Sequence, residues 1–222
     1  MKGLLVFGVS LAVIFLSQVP HVFAHQPAFI DTQTNIVIPD ADVSRAYYGE
    51  LTGAPAVYTV TLPEKSRLYL NILSPYSADA RKDFVVSIVH ETGQVIATLS
   101  APPEQWQEWR EEFAGDTYWK GPEFKQDVPA GTYTITVSNP DNLGKYIVAP
   151  GEAEVFGAAG TIETIRQIYL LKTHFFAKPW YSLFEGIIGK MLLGMLLVVT
   201  IAISMLVRFV VVRSRQRSGP VR

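Results

Sequence analysis

Four groups of residues have types and spacings that could do chemistry. The first is His25, which becomes a free N-terminal histidine if a leader is cut after Ala24. An N-terminal amine and its own imidazole, with a second histidine, form a nitrogen set that suits Cu(II). His90 is the partner expected from sequence, at the end of a predicted strand, and His174 is a poorer one. The second group is the loop carboxylates Asp40, Asp42, Asp79, Asp83, Asp116, Asp127 and Asp141. Such aspartates can cage Ca²⁺ at the end of a sandwich, but no D-x-[DN]-x-[DN]-G loop is present, so turn residues and solvated charges are the plainer reading.

The third group is aromatic. Trp106, Trp109, Arg110 and Phe113 fall at i, i+3, i+4 and i+7 after Pro102-Pro103, the spacing of one helix face. On this reading Glu104, Glu108, Glu111 and Glu112 mark its wet side. Tyr118 and Trp119 continue in the loop that follows. With Trp106 and Trp109 they make either a platform for a glycan or protein partner or, as the sequence favours, a lid with buried indoles. The fourth is Lys190, a cation one turn inside an apolar run. It either snorkels to the outer surface or meets an acidic group of a partner helix.

No G-x-S-x-G, H-E-x-x-H or Gly-rich phosphate loop occurs. The chain has no cysteine, which excludes thiolate metal sites, thiol catalysis and disulfide staples. The expectation is a non-catalytic protein.

The elements that must position these residues begin with a leader. Lys2, an apolar stretch from Leu4 to Leu16 and Val22-Phe23-Ala24 make residues 1–24 a predicted signal peptide. Residues 25–150 are predicted to be one extracytoplasmic domain. It reads as short alternating segments such as Ala56–Leu62, Arg67–Leu73, Phe84–His90 and Thr132–Ser138, separated by Pro, Gly and Asn turns. A strand over Val43–Leu51 opens it. The predicted fold class is mainly β: an antiparallel β-sandwich or jelly roll with a short helical insertion.

Residues 151–160 are expected to be a hinge. Residues 161–178 repeat Ile162, Ile165, Tyr169 and Phe176 as a juxtamembrane amphipathic helix, either lying on the membrane or docked under the sandwich. Trp180, Tyr181 and Phe184 stand where an interfacial aromatic belt belongs. Residues 186–207 form the predicted transmembrane helix, at about 20 apolar residues per bilayer. Arg208 and Arg213 open the basic tail 208–222, which places the tail in the cytoplasm and the domain outside a cell membrane.

Charge agrees with this layout. Residues 25–160 hold 9 Lys+Arg against 18 Asp+Glu, while 161–222 hold 9 against 2. An acidic outer domain argues against nucleic acid as a partner. The bilayer and a protein or glycan partner remain.

The segment Pro129-Ala130-Gly131-Thr132-Tyr133-Thr134-Ile135-Thr136-Val137-Ser138, followed by Gly144-Lys145-Tyr146-Ile147-Val148, resembles the end of bacterial pre-peptidase C-terminal domains. That resemblance implies a small jelly-roll accessory fold, sometimes ligand- or calcium-binding, and transfers no specific site. The whole layout is similar to small exported single-pass membrane proteins of bacteria. The leading reading is a membrane-anchored binding or assembly module, with a copper-binding protein using His25 as the alternative.

Overall fold

A computed structural model describes residues 26–153 and 161–217. The leader, His25, residues 154–160 of the expected hinge and residues 218–222 lie outside the described residues. The strands are β1 (Gln26–Phe29), β2 (Ile36–Ile38), β3 (Arg45–Thr52), β4 (Ala56–Leu62), β5 (Ser66–Pro75) and β6 (Val85–His90). They continue as β7 (Val95–Leu99), β8 (Gln107–Arg110), β9 (Thr117–Val128), β10 (Gly131–Ser138) and β11 (Leu143–Pro150). Two sheets result: a first sheet of six strands, order β1-β3-β11-β5-β9-β8, and a second of five, order β2-β4-β10-β6-β7. The pairing is antiparallel except at one edge of each sheet, where β1 pairs with β3 and β2 with β4 in parallel. Those two short edge strands carry too little alternation to be read from sequence.

The alternation in β4 and β10 sends Tyr58, Val60, Tyr133, Ile135 and Val137 inward, all essentially buried. Leu68, Leu70 and Ile72 of β5 meet them from the first sheet. Across the core the Tyr58 and Tyr146 hydroxyls lie 2.8 Å apart and satisfy each other.

The helical part of the insertion is one 3-10 turn, Pro103–Gln105. The helix expected through Phe113 does not form, because Gln107–Arg110 pair with Thr117–Lys120 as the sheet edge. Strand pairing removes orphan backbone groups that a short isolated helix would leave at its ends. The local i, i+3, i+4 spacing lost to it.

After the sandwich come α1 (Thr161–Leu170), a π-helical turn (Leu171–Phe175), a 3-10 turn (Trp180–Phe184) and α2 (Ile187–Arg217). The buried stripe is Ile168, Leu171, Lys172 and Phe175, with Tyr169 exposed. The sequence pattern placed Tyr169 and Phe176 on that stripe; Tyr169 falls beside it, while Phe176, half-buried, packs against the Leu171–Phe175 cluster at the end of a π turn that its N–H closes by donating to Leu171 O five residues back.

Leu171 and Phe175 pack on Ala46, Tyr48, Leu73, Tyr118, Ile147 and Ala149, on the outward face of the first sheet. At roughly 1.5–3 kcal/mol per buried side chain, that cover is a substantial part of the fold. Within the expected hinge, Glu152 and Ala153 donate to Asp42 O and Ser44 donates to Ala153 O, so residues 151–153 are pinned to the sandwich.

Candidate functional site

The densest polar chemistry lies where the sandwich meets α2. The turn between β8 and β9 supplies Glu111 and Asp116, the π turn supplies Lys172, and the segment before α2 supplies Lys178 and Glu185. Lys172 Nζ is 3.0 Å from Asp116 Oδ1, and both side chains are fully buried. Lys178 Nζ reaches the same oxygen at 2.8 Å. Glu185 Oε2 lies 3.7 Å from Lys172 and 3.6 Å from Lys178. Two cations and two carboxylates therefore close a network that joins three remote segments.

Glu111 sits beside it, 8% exposed. Its oxygens accept the N–H groups of Phe113 at 2.6 Å and Ala114 at 2.7 Å, fixing the turn. Burial pushes its carboxyl from the ordinary 4.5 up to about 7, against the pull of those two hydrogen bonds. It was read from sequence as a wet-face residue. Its burial follows from the turn that replaces the expected helix. Nearby, the Tyr48 and Tyr118 hydroxyls lie 2.9 Å apart, and burial raises both phenols.

Backbone completes the joint. Ile187 N–H donates to Glu112 O and Ile188 N–H to Phe113 O, so the sandwich caps the first turn of α2. Gly115 and Gly186 make the approach close: a Cβ at Gly186 would stand 2.3 Å from Phe113 O, and one at Gly115, where φ is +79°, 2.6 Å from Gly186 N. Lys145 Nζ donates to Phe175 O at 2.7 Å and caps the π turn.

The residues singled out from sequence fall in different places. His90 bonds Thr92 at 2.9 Å through Nδ1 and packs edge-on against Tyr133. Among the described residues no group of three His, Cys, Asp or Glu side chains could hold a metal. Asp83 and Asp141 both clasp Arg81, Asp127 pairs with Arg67, and Asp40 accepts the Asp42 N–H. These aspartates serve as ion-pair and turn groups.

Trp106 is buried in the core, 4% exposed, and donates Nε1–H to Ala101 O at 3.3 Å. Tyr118 is buried at the joint, with Trp109 5.7 Å away. Trp119 borders a cleft of about 770 Å³ with Tyr76, Arg81, Lys82 and Asp83. Its ring is already engaged, by Tyr76 at 4.8 Å and by Lys82 Nζ 3.2 Å from its centroid. A sugar ring would have to displace that cation to stack there.

At the membrane-type end, Trp180 and Tyr181 are exposed, at 63% and 61%. Phe184 is half-buried and Lys190 is exposed on α2. Arg208 and Arg213 lie on the same helix, which is long and apolar enough to cross a membrane over Ile187–Ser214. The helix runs past Val207, where the sequence reading ended the span.

No protein-family model matches the sequence, and no curated protein matches it. Solved structures resemble parts of the chain. The chain is similar to the pre-peptidase C-terminal domain of a collagenase from Bacillus anthracis at 15% identity, covering 57% of this chain and 95% of that one, TM-score 0.34. It is also similar to a CBM35 domain from Cellvibrio japonicus at 19% identity, covering 48% and 74%, TM-score 0.27. A third likeness, to a ruminal GH26 endo-β-1,4-mannanase, has 14% identity, covers 57% of this chain and 26% of that one, and has a TM-score of 0.28. The first of these is a pre-peptidase C-terminal domain, the kind of domain that the Pro129–Val148 segment resembles.

Proposed function

We propose that the chain is a membrane-anchored, extracytoplasmic β-sandwich that acts as a non-catalytic binding or assembly module, held directly against the membrane. The observation that carries this reading is the joint. A domain meant to swing freely needs a flexible tether, whereas here the first N–H groups of α2 donate to Glu112 and Phe113 carbonyls. Buried ion pairs lock the same place.

A module that presents one surface at a fixed height gains orientation from such a mount. About 42 Å of helix over Ile187–Ser214, at 1.5 Å per residue, is enough for a 30 Å hydrocarbon core. Trp180 and Tyr181 suit the headgroup level beside it, and the arginines suit the cytoplasmic side.

The absence of cysteine makes the test clean. Single-cysteine chains carrying Thr134→Cys or Ser218→Cys are expressed in bacterial cells, and the outer face is exposed to a membrane-impermeant maleimide. Thr134→Cys should label in intact spheroplasts and Ser218→Cys only after lysis, with both proteins resisting carbonate extraction. Release by carbonate, or labelling in the reverse order, would sink the proposal.

A further inference from the structure

The two outward faces of the sandwich differ in kind. On the first sheet the outward face carries charged residues such as Arg67, Lys125 and Asp127, and part of it is covered by Leu171 and Phe175. The register places Val37, Val57, Thr59, Thr61, Thr132, Thr134, Thr136 and Ser138 on the outward face of the second sheet. Val85, Ser87, Val89, Val95 and Thr98 continue it across β6 and β7. None of these is charged, in a region where acidic residues outnumber basic ones 18 to 9; the carboxylate at the rim, Glu91, lies past the end of β6 and accepts the Thr132 N–H. Val37 and Val95 at its two edges are 65% and 59% exposed. Across its middle the Thr61 and Thr132 hydroxyls pair at 3.2 Å. Among the described residues no helix packs on it.

We infer that this threonine- and valine-rich face is where a second copy of the chain docks, face to face about a two-fold axis. The inference rests on the reading above that the chain is anchored in a membrane.

Charge selects the occupant. A basic partner would be drawn to the acidic loops and edges, and would gain nothing from the one neutral face. An identical domain carries the same net acidic charge, and this face is where two copies meet while desolvating and opposing the fewest charges. Short side chains on paired strands also give the flat, self-complementary surface that sheet-on-sheet packing at about 10 Å requires.

Area sets the strength. Five strands about 4.8 Å apart and roughly 20 Å long offer about 480 Å² per copy, or roughly 1,000 Å² for the pair. That is the lower edge of specific interfaces, so pairing is weak in solution. Confinement of both copies to one membrane raises their effective concentration and makes it count.

The test uses the full chain in vesicles, after carbonate extraction has established that it is anchored. One cysteine is placed per strand: Val37→Cys, Thr59→Cys, Thr134→Cys, Ser87→Cys or Thr98→Cys. Glu123→Cys on the first sheet is the control. Oxidative cross-linking should give homodimer from at least one face position about tenfold faster than from the control. It should peak at one strand, where the axis lies.

Thr136→Lys, added to the best cross-linking chain, should suppress the dimer by setting like charges opposite each other. Thr61→Lys serves the same purpose should that variant melt early. Equal rates at all six positions, cross-linking insensitive to both lysines, or adducts with an unlike protein would each overturn the inference. A chain released by carbonate would instead fail the anchor reading.

Discussion

Lys172 and Asp116 form a fully buried ion pair at 3.0 Å between the π turn and the sandwich. Their partners are unequal. Asp116 also holds Lys178, 34% exposed, at 2.8 Å, whereas among the described residues Lys172 otherwise pairs only with Glu185, at 3.7 Å.

The inequality predicts an order of damage. Asp116→Ala strands a buried ammonium and should cost about 3–5 kcal/mol of stability. Lys172→Ala leaves Asp116 with Lys178 and should cost less. The double replacement Lys172→Met with Asp116→Leu should be milder than the sum, since it buries no unpaired charge. Denaturant unfolding of the full chain in detergent measures all three. Equal losses for the two single variants would contradict the shared-carboxylate geometry.

Glu111 gives the joint a pH dependence. Burial raises its folded-state value to about 7 from an ordinary 4.5. Between those two values the folded chain binds more protons than the unfolded one, so stability must fall as pH rises through that window. The contribution is fully present below about 4.5 and lost above about 7. Glu111→Gln should flatten the slope of stability against pH between 5 and 7 by up to one proton. An unchanged slope would mean that Glu111 titrates normally and lies in solvent.

Gly186 tests whether the mount is rigid. A methyl group there meets Phe113 O at 2.3 Å, a backbone atom that cannot swing aside. Gly186→Ala should therefore open the joint, at about 1–3 kcal/mol of overpacking, while leaving membrane insertion intact. Spin labels at Thr134 and Lys190 should report a narrow distance distribution in the parent chain and a broad one in the variant. Equally broad distributions in both would remove the basis for a fixed mount.

Sequence revealed the sandwich because its central strands alternate without interruption. Ala56–Leu62 and Gly131–Ser138 send every second residue into the core, and no local signal competes. It revealed the apolar helix for the simpler reason of length. The joint was hidden for three physical reasons. The insertion carries a helical period that strand pairing with β9 overrides. The buried stripe takes in Lys172 rather than Tyr169, so a charged residue fills a position where an apolar one was expected. Finally, two lysines, two glutamates and an aspartate far apart in sequence look like solvated charges until the fold brings them together. A faint signal existed: Lys172 follows Ile168 by four residues, on the face that Leu171 and Phe175 also occupy.

The tryptophans separate core from membrane contact in one measurement. Trp106 is in the core, 4% exposed, with its indole N–H bonded to Ala101 O. Trp180 stands 63% exposed just before α2. Two chains are made in which phenylalanine replaces every tryptophan except Trp106 or Trp180, and each is placed in vesicles. Trp106 should emit at short wavelength and resist both iodide and brominated lipid, since neither water nor acyl chain reaches it. Trp180 should be quenched by lipid brominated near the headgroup and much less by lipid brominated at the chain ends, because an indole at the interface keeps its N–H wet. Quenching of Trp180 by iodide alone would lift the Trp180–Phe184 turn out of the bilayer surface. The joint ties that turn to Phe113 and Ala114, so the whole sandwich would rise with it, and direct seating on the membrane would be wrong.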